Sequence, residues 1–202
     1  VETTARLKDP EQQRKLMAII QDDVNRLDKL ISDISDASRL DAELARDRPR
    51  TVDLAALLRD IVDVYQSSPR PGDVPLRLSI NTPGPTRIVG RDGPLGQVIR
   101  NLIDNARSFS PSDGSVRLTL DRAPDGSQDI RIRVEDDGPG IPAENLETVF
   151  QRFYTSRPKG TQFGTNSGLG LSIVRQIIEA HGGRVWAENI TDPDDPDHIT
   201  GA

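Results

Sequence analysis

The feature that most constrains the fold is a long stretch near the start of the chain with almost no helix-breaking residues. Between residues 9 and 44 there is no glycine, and Pro10 is the only proline. Asp9, Pro10 and Glu11 form a typical helix start, with an acidic N-cap, proline at the first helical position and an acid in the first turn. The predicted helix has about 35 residues and is roughly 50 Å long, too long for an ordinary domain helix.

One face of this predicted helix is apolar. Apolar residues recur at alternating gaps of three and four, the spacing of a heptad seam, at Met17, Ile20, Val24, Leu27, Ile31 and Ile34. We favour a helical hairpin or bundle arm that pairs with a second chain, in which residues 1–8 end a preceding antiparallel helix and form the turn. The alternative is a single arm that packs on its own domain.

Beyond a break in the pattern at residues 47–50, short strands are interspersed with amphipathic helices. Alternating apolar residues predict strands at 51–52, 76–80, 88–89, 116–120, 130–134 and 185–187. Apolar stripes predict helices at 54–67, 94–109, 143–150 and 170–180. Asp53 and Asp92 are predicted to cap the first two helices, and the acidic residues 192–197 are expected to form a solvated loop.

This order of elements, with few βαβ units, favours an α+β fold. We expect a two-layer α/β sandwich, that is, a mixed sheet with helices on one face, preceded by a long helical-hairpin or four-helix-bundle arm. The division that follows is an arm of residues 1–48 and a domain of residues 49–202.

Composition excludes several classes of protein. The 202 residues include 26 Lys and Arg against 32 Asp and Glu, a formal charge of −6, which argues against a general nucleic-acid binder. There is no cysteine and there are only two histidines, which excludes a disulfide scaffold, thiol catalysis and a His-rich metal site. No apolar run approaches the roughly 20 residues that span a bilayer, so any membrane anchor is expected outside this chain.

Four polar or glycine-rich segments could carry chemistry. Asn101 and Asn105 share one helix face, where two carboxamide oxygens suit a hard cation such as Mg²⁺. Asp136 begins an acidic, glycine-containing turn at the end of a predicted strand. Gly168 begins a glycine-rich helix start whose free N–H groups suit phosphate, and Phe150 begins a short aromatic segment. Taken alone, each of these segments is better explained as ordinary structure: solvated or capping asparagines, a turn, a glycine-rich connection, or a small core that anchors a loop.

Together, the four segments resemble the catalytic ATP-binding domain of sensor histidine kinases, in the superfamily shared with gyrase, Hsp90 and MutL. The segments similar to the N, G1, F and G2 boxes of that family are Asn101-Leu-Ile-Asp-Asn105-Ala, Asp136-Asp-Gly-Pro-Gly-Ile141, Phe150-x-x-Phe153 and Gly168-Leu-Gly-Leu171. The helix before Pro49 is similar to the second helix of the dimerisation and phosphotransfer hairpin, whose dimer is a four-helix bundle. In detail the chain resembles the ChvG/ExoS type of membrane sensor kinase.

The resemblance implies a role for individual residues in binding Mg-ATP. Asn105 and Asn101 would hold the Mg²⁺ ion that bridges the phosphates, and they are the catalytic candidates. The phosphates would be contacted by the backbone of the G2 box, which consists of Gly168, Leu169, Gly170 and Leu171. Where the family often carries a lysine, this chain has Ser108 beside Arg107, and these two residues and Arg152 are the possible further phosphate contacts.

The same resemblance implies an adenine pocket. Asp136 would accept a hydrogen bond from the adenine amino group, and Gly138 and Gly140 would let the base lie close to the backbone. Phe109 would line the pocket, and Ile141 and Phe153 belong to the ATP-binding set as members of the G1 and F boxes.

Neither histidine lies in the phosphoacceptor motif of the family. His181 precedes Gly182 at the end of a predicted helix, where we expect a structural role, and His198 lies in the acidic tail. We therefore expect the phosphoacceptor outside this chain and no autophosphorylation by the fragment. The chain is also expected to stop about where the last strand of the family's sheet would begin.

The function implied by the resemblance is the cytoplasmic kinase core of a two-component sensor histidine kinase. It would bind Mg-ATP and transfer the γ-phosphate to a histidine on the dimerisation helix, and from there to an aspartate of a response regulator receiver domain. The parent protein would be a homodimer through its long helices, held at the membrane by other segments.

One alternative function is that of an ATP-hydrolysing machine. Those proteins, however, carry a glutamate at the position of Asn101, and a carboxamide cannot act as a general base. The other is a silent ATP-binding dimer scaffold, against which the intact boxes argue.

Overall fold

The computed structural model describes residues 10–46, 48–69, 72–82, 84–124, 127–154 and 168–202. The helices and strands along the chain are α1 (Pro10–Arg46), β1 (Arg50–Asp53), α2 (Leu54–Ser67), β2 (Leu76–Ile80), β3 (Arg87–Gly90), α3 (Asp92–Phe109), β4 (Val116–Arg122), β5 (Ile130–Asp136), α4 (Gly170–Ala180), β6 (Ile190–Asp192) and β7 (Asp195–Gly201). Two short 3₁₀ turns lie before α4, at Ala143–Asn145 and Thr148–Phe150. The predicted end of a preceding helix at 1–8 and the predicted N-cap Asp9 lie outside the described residues.

Helix α1 carries its apolar seam on the surface. The six residues predicted to form the seam are all between 45% and 62% exposed. Leu40, near the end of α1, is instead only 1% exposed and belongs to the same core cluster as residues of α4. Helix α1 therefore joins the rest of the molecule near its C-terminal end, while the seam faces away from that core.

The central sheet contains β2, β4 and β5, with β4 in the middle. Strand β2 runs parallel to β4, and β5 runs antiparallel to it. This is the mixed sheet that the sequence predicted. Two antiparallel pairs, β1 with β3 and β6 with β7, lie outside it.

Helices α2, α3 and α4 cover one face of this sheet, which confirms the predicted two-layer sandwich. The inward-facing residues of β4 and the apolar stripes of the three helices belong to one core cluster. Its members with no exposed surface are Leu58, Ile103, Val116, Leu118, Leu120, Val174 and Ile177. Burial of this apolar surface is the main term that stabilises the domain.

The opposite face of the sheet is charged, because the residues between the apolar ones point to the other side of each strand. Asp121 accepts hydrogen bonds from Arg131 Nε at 2.9 Å and from Arg133 at 3.1 Å. Arg117 lies opposite Glu135 in the register and pairs with it at 3.6 Å. The hydrogen bond from Arg131, supported by Arg133, holds the pKa of Asp121 below its usual value.

Of the two predicted helix caps, Asp53 is confirmed and Asp92 is wrong. Asp53 Oδ1 accepts from the N–H groups of Ala55 and Ala56 at 3.1 and 3.3 Å. Helix α3 begins at Asp92 itself, so Asp92 is the first helical residue, and Arg91 occupies the N-cap position. The Asp92 carboxylate is instead paired with Arg50 of β1.

His181 links the end of α4 to the start of α3, which is the structural role expected for it. Its Nε2 lies 3.1 Å from the backbone N–H of Arg91, so it must accept that hydrogen bond. Its Nδ1 lies 2.7 Å from the carbonyl of Ile177 and therefore carries the proton.

The end of the chain differs from the prediction. Residues 183–189 form no strand, so the strand predicted at 185–187 is wrong. The acidic residues 192–197 were expected to be loop, but they form the turn and part of the strands of the β6–β7 hairpin. Strand β7 reaches Gly201, and Ala202 O accepts a hydrogen bond from Asp136 N. The apolar alternation at 185–187 covers only three residues, which is too short to outweigh tertiary contacts.

The charged face of the sheet yields a test of stability. Asp121→Asn should lower the free energy of unfolding by about 1–2 kcal/mol at pH 7, because it removes a charge that two arginines bind. A folded-state pKa below the unfolded value means that this contribution is present above about pH 4 and is lost as the pH falls through the folded pKa. Urea unfolding of the wild type and the variant between pH 3 and 7 measures the difference.

Asp63→Asn, at an exposed position of α2, is the matched control and should leave the free energy of unfolding unchanged. Equal stability of wild type and Asp121→Asn at pH 7 would show that the charged network contributes nothing.

Candidate nucleotide-binding site

Three segments meet along one side of α3. At one end, Asn101 Nδ2 donates a hydrogen bond to the carbonyl of Gly170, the first residue of α4, at 3.3 Å. At the other end, the turn after β5 lies against the backbone of Phe109, because a Cβ built on Gly138 would be 2.9 Å from Phe109 O. The eight residue steps from Asn101 to Phe109 span about 12 Å of helix. The predicted G1 and G2 segments therefore both contact α3, the helix that carries the predicted N segment.

Two consecutive aspartates at the end of β5 lie on opposite faces of the sheet. Asp136 has the parity of the inward-facing residues of β5, and burial raises the pKa of its carboxyl. Its Oδ1 accepts from the N–H of Gly138 at 2.9 Å. Asp136 is therefore a desolvated carboxylate at the α3 side of the sheet, as its predicted role requires.

Asp137 faces the charged side of the sheet, and its contacts stabilise the fold. Its carboxylate accepts from the N–H of Ser115 at 2.8 Å and from Arg117 at 2.6 Å. Burial alone would raise the pKa of Asp137, but the hydrogen bonds from Arg117 and Ser115 outweigh it and hold that pKa below the usual value.

Glycine is required at two positions of the turn after β5. A Cβ on Gly138 would lie 2.7 Å from Asp136 Oδ1 as well as against Phe109. Gly140 has a φ of +74°, a conformation that side chains disfavour. The turn therefore approaches both the carboxylate and α3 more closely than a turn with side chains could.

The two asparagines of α3 differ in their surroundings. Asn101 is tied to Gly170 through its nitrogen, which leaves its oxygen as an acceptor. The Asn105 carboxamide has no hydrogen-bond partner within the described part of the chain. Ser108 donates its hydroxyl to the carbonyl of Asn105 at 2.8 Å. This side of α3 thus carries two carboxamide oxygens, on Asn101 and Asn105, that accept no hydrogen bond from the described part of the chain.

Arg107 lies elsewhere. Its guanidinium pairs with Asp73 at 3.0 Å and lies 4.9 Å from the centre of the Tyr65 ring of α2. Two residues along a helix turn the side chain by about 200°, so Arg107 and Asn105 point to opposite sides. The phosphate contact predicted for Arg107 does not fit this position, and we leave Arg107 out of the site.

The start of α4 suits an anion. Leu169, its N-cap residue, is buried and provides no side-chain cap, while Gly168 has a φ of +74°. Gly170 and Leu171 are the first helical residues, so their N–H groups have no carbonyl partner within the helix. Such N–H groups, together with the helix dipole, favour phosphate.

The two phenylalanines of the aromatic segment differ in burial. Phe150 is 5% exposed, and the Arg175 guanidinium lies 4.8 Å from its ring centre, so this residue anchors the segment to α4. Phe153 is 64% exposed. Its N–H donates to the carbonyl of Gly168 at 2.9 Å. Arg152 is exposed beside it.

Sequence reasoning missed one residue at the site. Asn189 donates to the carbonyl of Ile141 at 2.7 Å and accepts from its N–H at 2.8 Å. No periodicity or motif marks this asparagine, and its partner is 48 residues away in the chain. Ile141 therefore takes part in the site through its backbone.

Comparison with known proteins agrees with this geometry. Residues 90–198 match the model of the histidine kinase-, DNA gyrase B- and HSP90-like ATPase family. Over 205 aligned residues the chain is 50% identical to the sensor protein ChvG of Rhizobium meliloti, covering 96% of this chain and 34% of ChvG. The chain thus spans about a third of the length of that curated relative.

Solved structures show the same fold. Full-length ShkA in complex with AMPPNP is 25% identical, with a TM-score of 0.68 over 94% of this chain and 37% of that one. The histidine kinase ThkA, in complex with the response regulator protein TrrA, is 26% identical, with a TM-score of 0.64 over 91% of this chain and 49% of that one. The chain belongs to the histidine kinase-, DNA gyrase B- and HSP90-like ATPase family, and within the sensor histidine kinases it is similar to the ChvG type.

The substitution Asp136→Asn should weaken nucleotide binding without lowering the stability of the fold. The variant replaces an acceptor by a group that presents N–H donors to the adenine amino group, so the dissociation constant for an ATP analogue should rise about tenfold or more, equivalent to about 1.4 kcal/mol. Because burial disfavours the charged form, the variant should be at least as stable as the wild type. Calorimetric titration and thermal melting measure the two quantities.

Asp60→Asn, on the exposed side of α2, is the control for this comparison. Unchanged affinity in Asp136→Asn would refute the adenine role of Asp136.

Gly138→Ala should be destabilising. The added Cβ would overlap Asp136 Oδ1 and Phe109 O, and the forced shift should cost about 1–3 kcal/mol of stability and weaken nucleotide binding. Gly93→Ala is the matched control, since a Cβ there meets nothing within 4 Å. A Gly138→Ala protein with the stability and affinity of the wild type would contradict the close approach of this turn.

Proposed function

We propose that this chain is the kinase core of a two-component sensor histidine kinase, which binds Mg-ATP and transfers its γ-phosphoryl group to a histidine. The observation that carries the proposal is the desolvated Asp136 carboxylate at one end of α3 and the amide oxygens and α4 N–H groups at the other. A purine would lie at the first end, beside Gly138, Gly140 and Phe109. The phosphates would lie at the second.

The residues present fit a magnesium ion. Mg²⁺ prefers oxygen ligands and usually binds few protein groups together with substrate phosphates. Asn105 and the oxygen of Asn101 supply neutral oxygen donors without adding negative charge beside the phosphates. When bound, the ion would neutralise the charge that develops on the transferred group.

The roles of the protein groups are positioning and charge stabilisation. The N–H groups at Gly170 and Leu171 would bind phosphate oxygens, and Asp136 would orient the base. The bond between the β,γ-bridging oxygen and the γ-phosphorus breaks while a bond forms to an imidazole nitrogen of the acceptor, and ADP leaves. Neither His181 nor His198 lies in an acceptor motif, and His181 uses both ring nitrogens in the fold, so the acceptor would come from outside this chain.

The partners follow from the same proposal. The exposed seam of α1 would pair with a second copy of the chain in a helical bundle, and residues 1–48 would form that arm, with residues 49–202 as the catalytic domain. The phosphoryl group would pass to an aspartate of a response regulator, the class of partner seen with ThkA. The parent protein would be a membrane-bound sensor. Within the described residues no helix is long and apolar enough to cross a membrane.

An ATP-hydrolysing function is the weaker candidate. It needs a general base to activate water, and the carboxamide of Asn101 stands where a glutamate would do this. The hydrogen bond from Asn101 to Gly170 supports a structural part for this residue beside its proposed ligand-binding role.

Nucleotide titration tests the proposal directly. The chain should bind a non-hydrolysable ATP analogue in Mg²⁺ with an affinity that falls when the metal is chelated. Incubated alone with labelled ATP it should form no phosphohistidine, whereas a separate protein carrying the acceptor helix should become labelled. An absence of binding at millimolar nucleotide would end the proposal, and stable labelling of His181 or His198 would show that the acceptor lies in this chain.

A further inference from the structure

The turn after β5 has few hydrogen bonds of its own. Within the described residues, the turn from Asp137 to Ile141 is held through its backbone by the bond from Gly138 N–H to Asp136 and by the two bonds between Ile141 and Asn189. A segment without a helical or strand ladder depends on such side chains to keep its backbone polar groups paired. Asn189 thus supplies two of the contacts that determine where this turn lies.

The Asn189 carboxamide acts as a substitute for a strand partner. Ile141 forms hydrogen bonds through both its N–H and its C=O to the one side chain of Asn189. This is the pattern of a hydrogen-bonded residue pair in an antiparallel ladder. Asparagine can do this because its side chain carries a donor and an acceptor together. An aspartate could still accept from Ile141 N–H, but it would place a carboxylate oxygen against Ile141 O.

Gly140 shows that the contact is close. A Cβ on Gly140 would lie 2.9 Å from Asn189 Oδ1 and would overlap Ile199 of β7. The turn is therefore pressed against Asn189 and the β6–β7 hairpin on one side and against Asp136 and Phe109 on the other. Its position is determined from both sides.

We infer that Asn189 is a positioning residue for the purine end of the site. It holds the Gly138–Gly140 turn in the position in which a base would contact Asp136. This inference rests on the proposed function. Asn189 need not touch the nucleotide, because it acts through Ile141. Loss of its bonds should therefore weaken the discrimination between purines as well as the affinity.

Two variants and a control test this role in the 202-residue chain. Asn189→Asp removes the donor, and Asn189→Ala removes both bonds without adding a charge. Asn81→Asp is the matched control at an exposed asparagine after β2. Affinities for the non-hydrolysable analogues of ATP and GTP in Mg²⁺ are measured by titration, with thermal melting to establish that each variant folds.

The expected result is a rise of about tenfold in the dissociation constant for the ATP analogue in both Asn189 variants, with a ratio of ATP to GTP affinity that moves towards one. A role in stability alone would weaken both nucleotides equally and leave that ratio unchanged, which would overturn the inference. Asn81→Asp should retain the affinity and ratio of the wild type.

Amide exchange gives a readout that needs no nucleotide. The Gly138 N–H is bonded to Asp136 and not to Asn189, so its exchange should accelerate at least tenfold in Asn189→Ala only if Asn189 holds the whole turn. Unchanged exchange at Gly138 would overturn the inference even if binding changed. A wild type that binds neither nucleotide would instead overturn the proposed function, whereas a wild type that binds ATP and an Asn189→Asp variant with the same affinity and preference would overturn the role of Asn189 alone.

Discussion

The packing of α3 is the constraint on which the rest of the structure depends. Its apolar side, which includes Ile103, is buried between the sheet and α4, and this burial leaves only the opposite side of the helix for ligands. Because the same helix touches the start of α4 at Asn101 and the turn after β5 at Phe109, its position sets the distance between two parts of the site that are far apart in sequence. Stability and ligand binding therefore depend on one element.

Much of this arrangement follows from local sequence. The period of two along β4 and β5 determines which residues face the helices, and the same parity places Asp136 inside and Asp137 outside. The apolar stripes of α2, α3 and α4 were sufficient to predict the layers, because each stripe has one face to bury. Asp53 was predictable as a cap because its partners are two and three residues away.

The features that could not be predicted depend on contacts between distant residues. Arg107 follows Asn105 closely in sequence, but Asp73 and Tyr65 hold it on the other side of α3. The importance of Asn189 appears only when Ile141 is placed beside it in space. The β6–β7 hairpin lies in an acidic stretch that composition marks as loop, since its pairing partners outweigh its poor strand propensity. The family resemblance supplied the expected roles of the candidate residues, and the geometry then showed which of those side chains bind other parts of the fold.

The opposite orientation of Asp136 and Asp137 has a consequence for the order in which the two carboxyls titrate. Two identical side chains that follow one another along β5 release their protons in different pH ranges, because one is desolvated and the other is bound by Arg117. As a solution is acidified, the inward carboxylate becomes neutral first, while the outward one still anchors the strand end. Acidification would thus remove the acceptor charge of Asp136 before it breaks the ion pair between Arg117 and Asp137.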